Sequence, residues 1–285
     1  MIIRPPSEAS SLLLQVTVGC SHNKCTFCPT YKEKRFRIKT SEEIEEDILE
    51  ASGYGYIRRV FLCDGDVLIM PMRKLVPVLE SIHKNIKGVE RIGLYGNAKS
   101  ILRKTPEELQ QLKNLGVTIV YLGVETGNDE ILEEVKKGAT ARQMVEAGRK
   151  IKEAGITLSV TILLGIGGKA RSMAHALDTA RVLTEMDPDY VGALTVMVVP
   201  GTMLHEKQMS GEFELPDTFG FLKELGIMVA NSSFTHCFFT SNHASNYLPV
   251  RARMPQEKEK TTELIQSVIN SSDRNMLRSE YLRGL

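Results

Sequence analysis

Short apolar runs alternate with amphipathic stretches from residue 12 to residue 199, and no other feature restricts the fold as much. The apolar runs lie at 12–18, 59–63, 91–95, 117–123, 156–164 and 190–199. They are rich in Val, Ile and Leu and lack strict polar alternation. That suits strands covered on both faces, as in a parallel sheet. Between them a helical period runs through 41–53, 71–86, 106–115, 129–137, 141–154 and 172–186. Thr40-Ser41-Glu42-Glu43, Thr105-Pro106-Glu107-Glu108 and Thr140-Ala141-Arg142-Gln143 read as capping boxes at helix starts. Gly53, Gly88, Gly116, Gly138 and Gly155 fall where helices should stop.

Strand–helix units in strict order predict parallel strands joined by right-handed crossovers. A full barrel takes about eight such units. The shorter run here predicts an α/β fold with a partial (β/α)6 TIM-like barrel, and a doubly wound sheet satisfies the same pattern. After Gly201 the alternation stops. Residues 206–285 predict a C-terminal α/β extension: a helix near 216–229, a short strand near 234–239, a polar loop and a charged helix near 256–270. The expected division is a core over 1–205 and an extension over 206–285.

Hydrophobic residues make up 42% and charged residues 25%, which is globular and excludes general disorder. Lys plus Arg number 36 against 35 Asp plus Glu. That balance argues against nucleic-acid binding over the whole surface and leaves a local patch open. No apolar run approaches the ~18 residues of a membrane span. Residues 1–15 lack the apolar core and small-residue cleavage site of a signal peptide, so a cytoplasmic location is expected.

The cysteines are Cys20, Cys25, Cys28, Cys63 and Cys237. An odd count in a chain this long is not a disulfide framework. Three of them share the segment Gly19-Cys20-Ser21-His22-Asn23-Lys24-Cys25-Thr26-Phe27-Cys28-Pro29. It follows the first strand, at the end where βα folds carry active sites. Thiolates suit iron–sulfur clusters or zinc. A structural zinc site wants four protein ligands. Three thiolates on a four-iron cluster leave one iron open to a substrate. Cys63 and Cys237 read as small buried hydrophobes.

This segment resembles the cluster motif of the radical S-adenosylmethionine (SAM) superfamily, with Phe27 as the aromatic before the last cysteine. Ser21 to Lys24 make the first gap one residue longer than usual in the family. The resemblance implies a [4Fe-4S] cluster on Cys20, Cys25 and Cys28, with SAM chelating the open iron through its amino and carboxylate groups. It implies reductive cleavage of SAM to methionine and a 5′-deoxyadenosyl radical, which takes hydrogen from a substrate the sequence does not identify.

The resemblance also implies cofactor contacts at later strand ends. Asp64-Gly65-Asp66 is similar to the family's acidic, Gly-rich motif for the SAM amino group, an ammonium being a pure donor. An ordinary Asp-Gly turn accounts for the same residues. Glu125 matches a polar position against the ribose or methionine, and also a helix N-terminal acid. Gly165-Ile166-Gly167-Gly168 matches backbone that approaches the adenine; it is neither a P-loop nor a full dinucleotide fingerprint. Arg142 and Lys99 suit the SAM carboxylate by charge, though a solvated helix face is the plainer account of both. Pro200-Gly201-Thr202 resembles the branch holding coproporphyrinogen dehydrogenases, methylthiotransferases and the elongator catalytic subunit.

The basic run 32–39 suits docking of a flavodoxin- or ferredoxin-type electron donor, a phosphate-bearing substrate, or plain solvation. The loop 240–249 offers His243 and Tyr247 for acid–base work if the extension folds over the barrel mouth; a self-capped turn explains it otherwise. Cys63 and Cys237 are too few for a second cluster. The expectation is a minimal stand-alone enzyme acting on a small molecule or other unknown substrate. The rival is a non-catalytic iron–sulfur or zinc module for electron transfer or RNA binding. Such a module has no use for 64–66, Glu125 and 165–168 together.

Overall fold

The computed structural model describes residues 3–284. In chain order it opens with β1 (Leu12–Gln15), β2 (Thr17–Val18), β3 (Arg37–Ile38), α1 (Ser41–Ser52), β4 (Arg59–Cys63), α2 (Met72–Asn85) and β5 (Arg91–Tyr95). There follow α3 (Ala98–Arg103), α4 (Pro106–Asn114), β6 (Val117–Glu125), α5 (Asp129–Glu134), α6 (Ala141–Glu153), β7 (Thr157–Leu164) and α7 (Ser172–Met186). The chain ends with β8 (Tyr190–Thr195), α8 (Met203–Met209), α9 (Thr218–Asn231), β9 (Cys237–Thr240), β10 (Arg251–Met254) and α10 (Lys258–Ser271). Eight strands form a mostly parallel sheet, with β2 and β3 as a separate ladder, and no pairing among the described residues closes a barrel. The strand–helix alternation is therefore as expected.

Contacts divide the chain into two compact units. The first is Met1–Asn23, Thr30–Leu122 and Ala147–Leu158; the second is Lys24–Pro29, Gly123–Glu146 and Ser159–Leu285.

In the first unit β1 pairs in parallel with β4, from Leu12↔Val60 to Gln15↔Cys63, and β4 pairs in parallel with β5. Phe61, Cys63, Ile119 and Tyr121 form a core cluster, joined by Leu13 and Tyr95. The Phe61, Tyr95 and Tyr121 rings meet edge to face, as ring quadrupoles favour. Glu8 lies wholly out of water beside this cluster. Its carboxylate accepts from Ser11 Oγ at 2.5 Å, from the Tyr121 hydroxyl, and from the guanidinium groups of Arg91 and Arg59, the first residues of β5 and β4. One acid thus ties the N-terminal segment to the starts of two strands.

In the second unit β7 pairs in parallel with β8, from Ser159↔Tyr190 to Leu164↔Thr195. β8 pairs in parallel with β9, and β9 antiparallel with β10. α9 packs on both α7 and α10. Ile131, Val135, Leu163, Ile166, Val196, Leu204 and Phe213 form its core cluster.

Local chemistry sets the boundaries. Thr40 and Thr105 close full capping boxes. Thr140 exchanges bonds with Gln143 in the same way. Gly88, Gly116, Gly138 and Gly155 take left-handed φ at helix ends; Gly53 stays at φ −73°.

Four expectations need correction. The run 12–18 is not one strand: it breaks at Val16, and Thr17–Val18 pairs antiparallel with Arg37–Ile38, inside the basic segment. The strand in the run 190–199 stops at Thr195, where Ser245 Oγ takes the Thr195 N–H and Asn246 Oδ1 takes its hydroxyl. The helix expected over 129–137 ends at Glu134. The extension holds a second strand, β10, whose apolar content is too low to show in a pattern.

Replacing Glu8 by Ala strands two guanidiniums and a phenol that it now satisfies. Loss of one partner from a buried ion network costs about 3–5 kcal/mol, less where the partners reach water, as these two half-exposed arginines do. Urea unfolding of Glu8→Ala should show about 2–4 kcal/mol of lost stability, against near-neutrality if the contacts are incidental.

Candidate active site

Two of the strand ends singled out in the sequence lie in the first unit. β1 and β2 lead into Gly19 and Cys20, and β4 leads into Asp64, Gly65 and Asp66. Asp64 is fully buried. Its Oδ2 accepts from Gln15 Nε2 at 2.8 Å and from the Gly19 N–H at 2.9 Å, while its own N–H donates to Thr17 Oγ1. Its Oδ1 is buried and takes no hydrogen bond. A buried, unshared carboxylate oxygen is costly unless a donor arrives.

Gly65 donates to the Gly19 carbonyl. A Cβ there would stand 2.9 Å from the Cys20 Cβ and 3.2 Å from its Sγ, so only glycine lets the two strand ends approach. Asp66 is spent within the fold. Its oxygens accept from Ser21 Oγ, Asn97 Nδ2, Ser100 Oγ and the Asn97 N–H. Burial raises its pKa, and these hydrogen bonds pull against that. Lys99 lies exposed on α3.

The second unit holds the rest of the cysteine segment. The Thr26 N–H donates to the Val135 carbonyl, and the Thr26 carbonyl accepts from the Leu204 N–H, so the stretch between Cys25 and Cys28 is pinned on both sides. Phe27 packs against the apolar cluster around Ile131, Ile166 and Leu204. Cys20, Cys25 and Cys28 are each partly exposed, Cys63 and Cys237 are buried, and none is in a disulfide. Burial pushes the Cys63 thiol up to about 12, so it stays protonated, as a packing residue would.

Glu125 ends β6 in a left-handed conformation, φ +65°, and accepts from Lys137 Nζ at 2.7 Å. Gly165, Gly167 and Gly168 follow β7. Gly165 (φ +82°) leaves no room for a side chain: its Cβ would stand 2.2 Å from the Phe221 ring. At Gly167 a Cβ would stand 2.8 Å from Ile131, which also touches the Phe27 cluster. Arg142 sits on an exposed face of α6, paired with Glu146.

His243 is half-buried, and its Nδ1 accepts from the Ser245 N–H at 3.1 Å. Burial and then Arg278 hold its pKa below the ordinary value, so the ring is neutral at neutral pH. The Tyr247 hydroxyl donates to Glu280 at 2.6 Å, with Arg283 stacked 4.0 Å over the ring. Burial, then Glu280, raise that phenol. Phe221 reaches both this ring, at 5.9 Å between centroids, and Gly165.

Sequence reasoning missed a buried polar group behind the glycine loop. Glu224 on α9 accepts from the Gly165 N–H and from Ser172 Oγ, both at 2.6 Å. His175 on α7 is fully buried, its Nδ1 2.8 Å from Thr126 Oγ1 and its Nε2 3.7 Å from Glu224 Oε2. The one signal was a Glu inside the apolar stretch 219–229.

The donor chemistry fits an iron–sulfur cluster. Three thiols within nine residues occupy a strand end, and the next strand end offers an unshared acceptor. Among the described residues no group of three His, Cys, Asp or Glu converges as a site for a single metal ion. A cubane cluster does not ask for that convergence, since each thiolate takes a different iron.

This fold and these strand ends define an α/β enzyme class built around a partial barrel. The radical SAM superfamily model matches residues 14–180, more than half of the chain, and the protein belongs to that superfamily. Enzymes of the family use a [4Fe-4S] cluster and SAM. The tRNA uridine(34) acetyltransferase of Methanocaldococcus jannaschii is 32% identical over 110 residues, 38% of this chain and 20% of that protein. The heme chaperone HemW of Bacillus subtilis is 20% identical over 204 residues, 69% of this chain and 53% of HemW. In structure the chain is similar to methylornithine synthase (PylB): TM-score 0.55 at 19% identity, covering 79% of this chain and 63% of that one. The chain thus spans about a fifth of the acetyltransferase and about half of HemW. No helix among the described residues is long and apolar enough to cross a membrane.

The buried pair sets a pH signature. Burial lifts Glu224 from 4.5 to about 7, against the hydrogen bonds from Ser172 and Gly165. Between those values the folded chain binds the extra proton, so this group's contribution to stability falls as pH rises. Burial drops His175 from 6.5 to about 4, against the Leu163 carbonyl and Asp178. Between those values the unfolded chain binds the extra proton, so this contribution rises with pH. Where the windows overlap the slopes offset. Glu224→Gln leaves the His175 slope alone. Its stability should climb from pH 4.5 to 6.5 relative to the wild type, by about 3 kcal/mol at most. Urea midpoints across pH check this; parallel curves for the two proteins would refute it.

Proposed function

We propose that this protein binds a [4Fe-4S] cluster through Cys20, Cys25 and Cys28 and abstracts hydrogen from a small-molecule substrate. When bound, the cluster and SAM together supply a 5′-deoxyadenosyl radical by reductive cleavage of the SAM C–S bond. The observation that carries the reading is the pairing of the cysteine segment with the unshared Asp64 Oδ1 at the next strand end.

Each residue then has a task. Asp64 Oδ1 accepts an N–H of the SAM ammonium, which also relieves its own desolvation. Asp66 holds the loop bearing Ser21 against α3, and Gly65 keeps Cys20 close to Asp64. Phe27 anchors the cysteine segment. Glu125 faces the ribose or methionine part, with Lys137 neutralising it. The backbone of Gly165 and Gly167 approaches the adenine. Arg142 supplies a cation for the SAM carboxylate on leaving Glu146. Residues 1–205 serve as the core. Residues 206–285 carry the substrate-facing groups, His243 as a neutral base and Tyr247 as a donor. The basic segment 32–39 docks a flavodoxin- or ferredoxin-type electron donor. A thiol-rich site of this kind suits the reducing cytoplasm.

Anaerobic reconstitution with iron and sulfide, dithionite reduction and mass spectrometry for 5′-deoxyadenosine test the reading. Wild type should release 5′-deoxyadenosine from SAM; Cys20→Ala, Cys25→Ala and Cys28→Ala should each lose both cluster and cleavage. Cys63→Ala should keep both. Stoichiometric zinc in place of iron, or an intact cluster without SAM cleavage, would favour the non-catalytic module instead.

A further inference from the structure

The glycine loop after β7 is held by one carboxylate at both of its ends. Glu224 Oε2 takes the Gly165 N–H, where the loop begins, and Oε1 takes the hydroxyl of Ser172, the first residue of α7. Phe221, three residues earlier and so on the same face of α9, fills the space a Gly165 side chain would need. α9 therefore sets the Gly165 peptide twice, by contact and by hydrogen bond. Behind it His175 faces Glu224 Oε2 at 3.7 Å and meets the hydroxyl of Thr126, the residue after Glu125. The polar chain runs from one proposed cofactor-contacting strand end to another.

Stability alone does not explain this acid. A carboxylate this deep pays for its desolvation, and an apolar side chain of similar size often serves a core as well or better. Its return is geometric: a left-handed glycine whose N–H is fixed by a side-chain carboxyl oxygen. We infer that Glu224 is a positioning residue that orients the loop backbone at 165–168 toward the adenosine part of SAM. The inference rests on the proposed function, since it takes that loop as the adenosine contact.

Two variants separate this role from packing. Glu224→Leu keeps the bulk and removes the acceptor, while Glu224→Gln keeps an acceptor oxygen for Gly165. SAM binding to the cluster-reconstituted proteins is read by equilibrium dialysis without reductant. Amide hydrogen exchange over 165–172 is read before reconstitution. The Leu variant should melt no lower than wild type, exchange faster at 165–168, and bind SAM about tenfold or more weakly. The Gln variant should stay close to wild type in both readouts. Wild-type affinity in the Leu variant, or equal weakening in both, would overturn the inference and leave the proposed function standing. Failure of the wild type to bind SAM would overturn both. Should the Leu variant not fold, Glu224→Met makes the same comparison.

Discussion

Carboxylates taken out of water organise this molecule. Glu8, Asp64, Asp66 and Glu224 are each almost wholly buried, and a bare buried carboxylate is among the most expensive groups a fold can hold. Each is tolerable because donors from separate segments converge on it. Glu8 gathers the N-terminal turn and the starts of β4 and β5. Asp66 gathers the loop after Cys20 and the start of α3. Glu224 gathers the end of β7, the start of α7 and α9. The desolvation cost makes these junctions sharply defined, since any drift leaves a charge unpaired. Asp64 is the exception, with one oxygen satisfied twice and the other not at all. An unmet acceptor on a carboxylate whose other oxygen is satisfied twice is the observation on which the proposed ligand role of Asp64 rests.

Much of the fold was legible because its causes are local. The apolar runs that became β4, β5 and β7 carry their own pattern, and the Thr boxes at Thr40, Thr105 and Thr140 carry their own caps. What was not legible depends on partners far away in the chain. β8 ends at Thr195 although Val196, Val198 and Val199 continue the apolar run, and there Ser245, fifty residues on, takes the Thr195 N–H while Asn246 takes its hydroxyl. The β2–β3 ladder holds two residues on each strand and exists only because Thr17 meets Ile38. α3 is a single capped turn and a half with no period of its own; Asn97 starts it, and Asp66 holds Asn97.

The same distinction runs through the site. Cys20, Cys25 and Cys28 were legible as a group because covalent spacing alone puts them on one loop. Asp64 and Asp66 look alike in sequence, flanking one glycine. Only the structure separates them, through the three side-chain donors that Asp66 has and the bare oxygen that Asp64 has. Glu224 and His175 were invisible as a pair because they sit on different helices forty-nine residues apart. A lone Glu in an apolar helix says that some donor must meet it, and not which one.

The last eighty residues take on a double character from this. Phe221 and Glu224 support Gly165, while Ser245 and Asn246 end β8. Tyr247, on the substrate-facing loop of the proposed function, packs its ring near that same Phe221. A segment that varied freely to suit a substrate would therefore disturb the loop proposed to hold the cofactor. The two demands are kept apart by chemistry. The contacts at Gly165 and Thr195 involve backbone N–H groups that any sequence must satisfy. Tyr247 instead makes side-chain contacts with Glu280 and Arg283 that substitution can change without orphaning a strand. Specificity can drift on the second set only as long as the first is held.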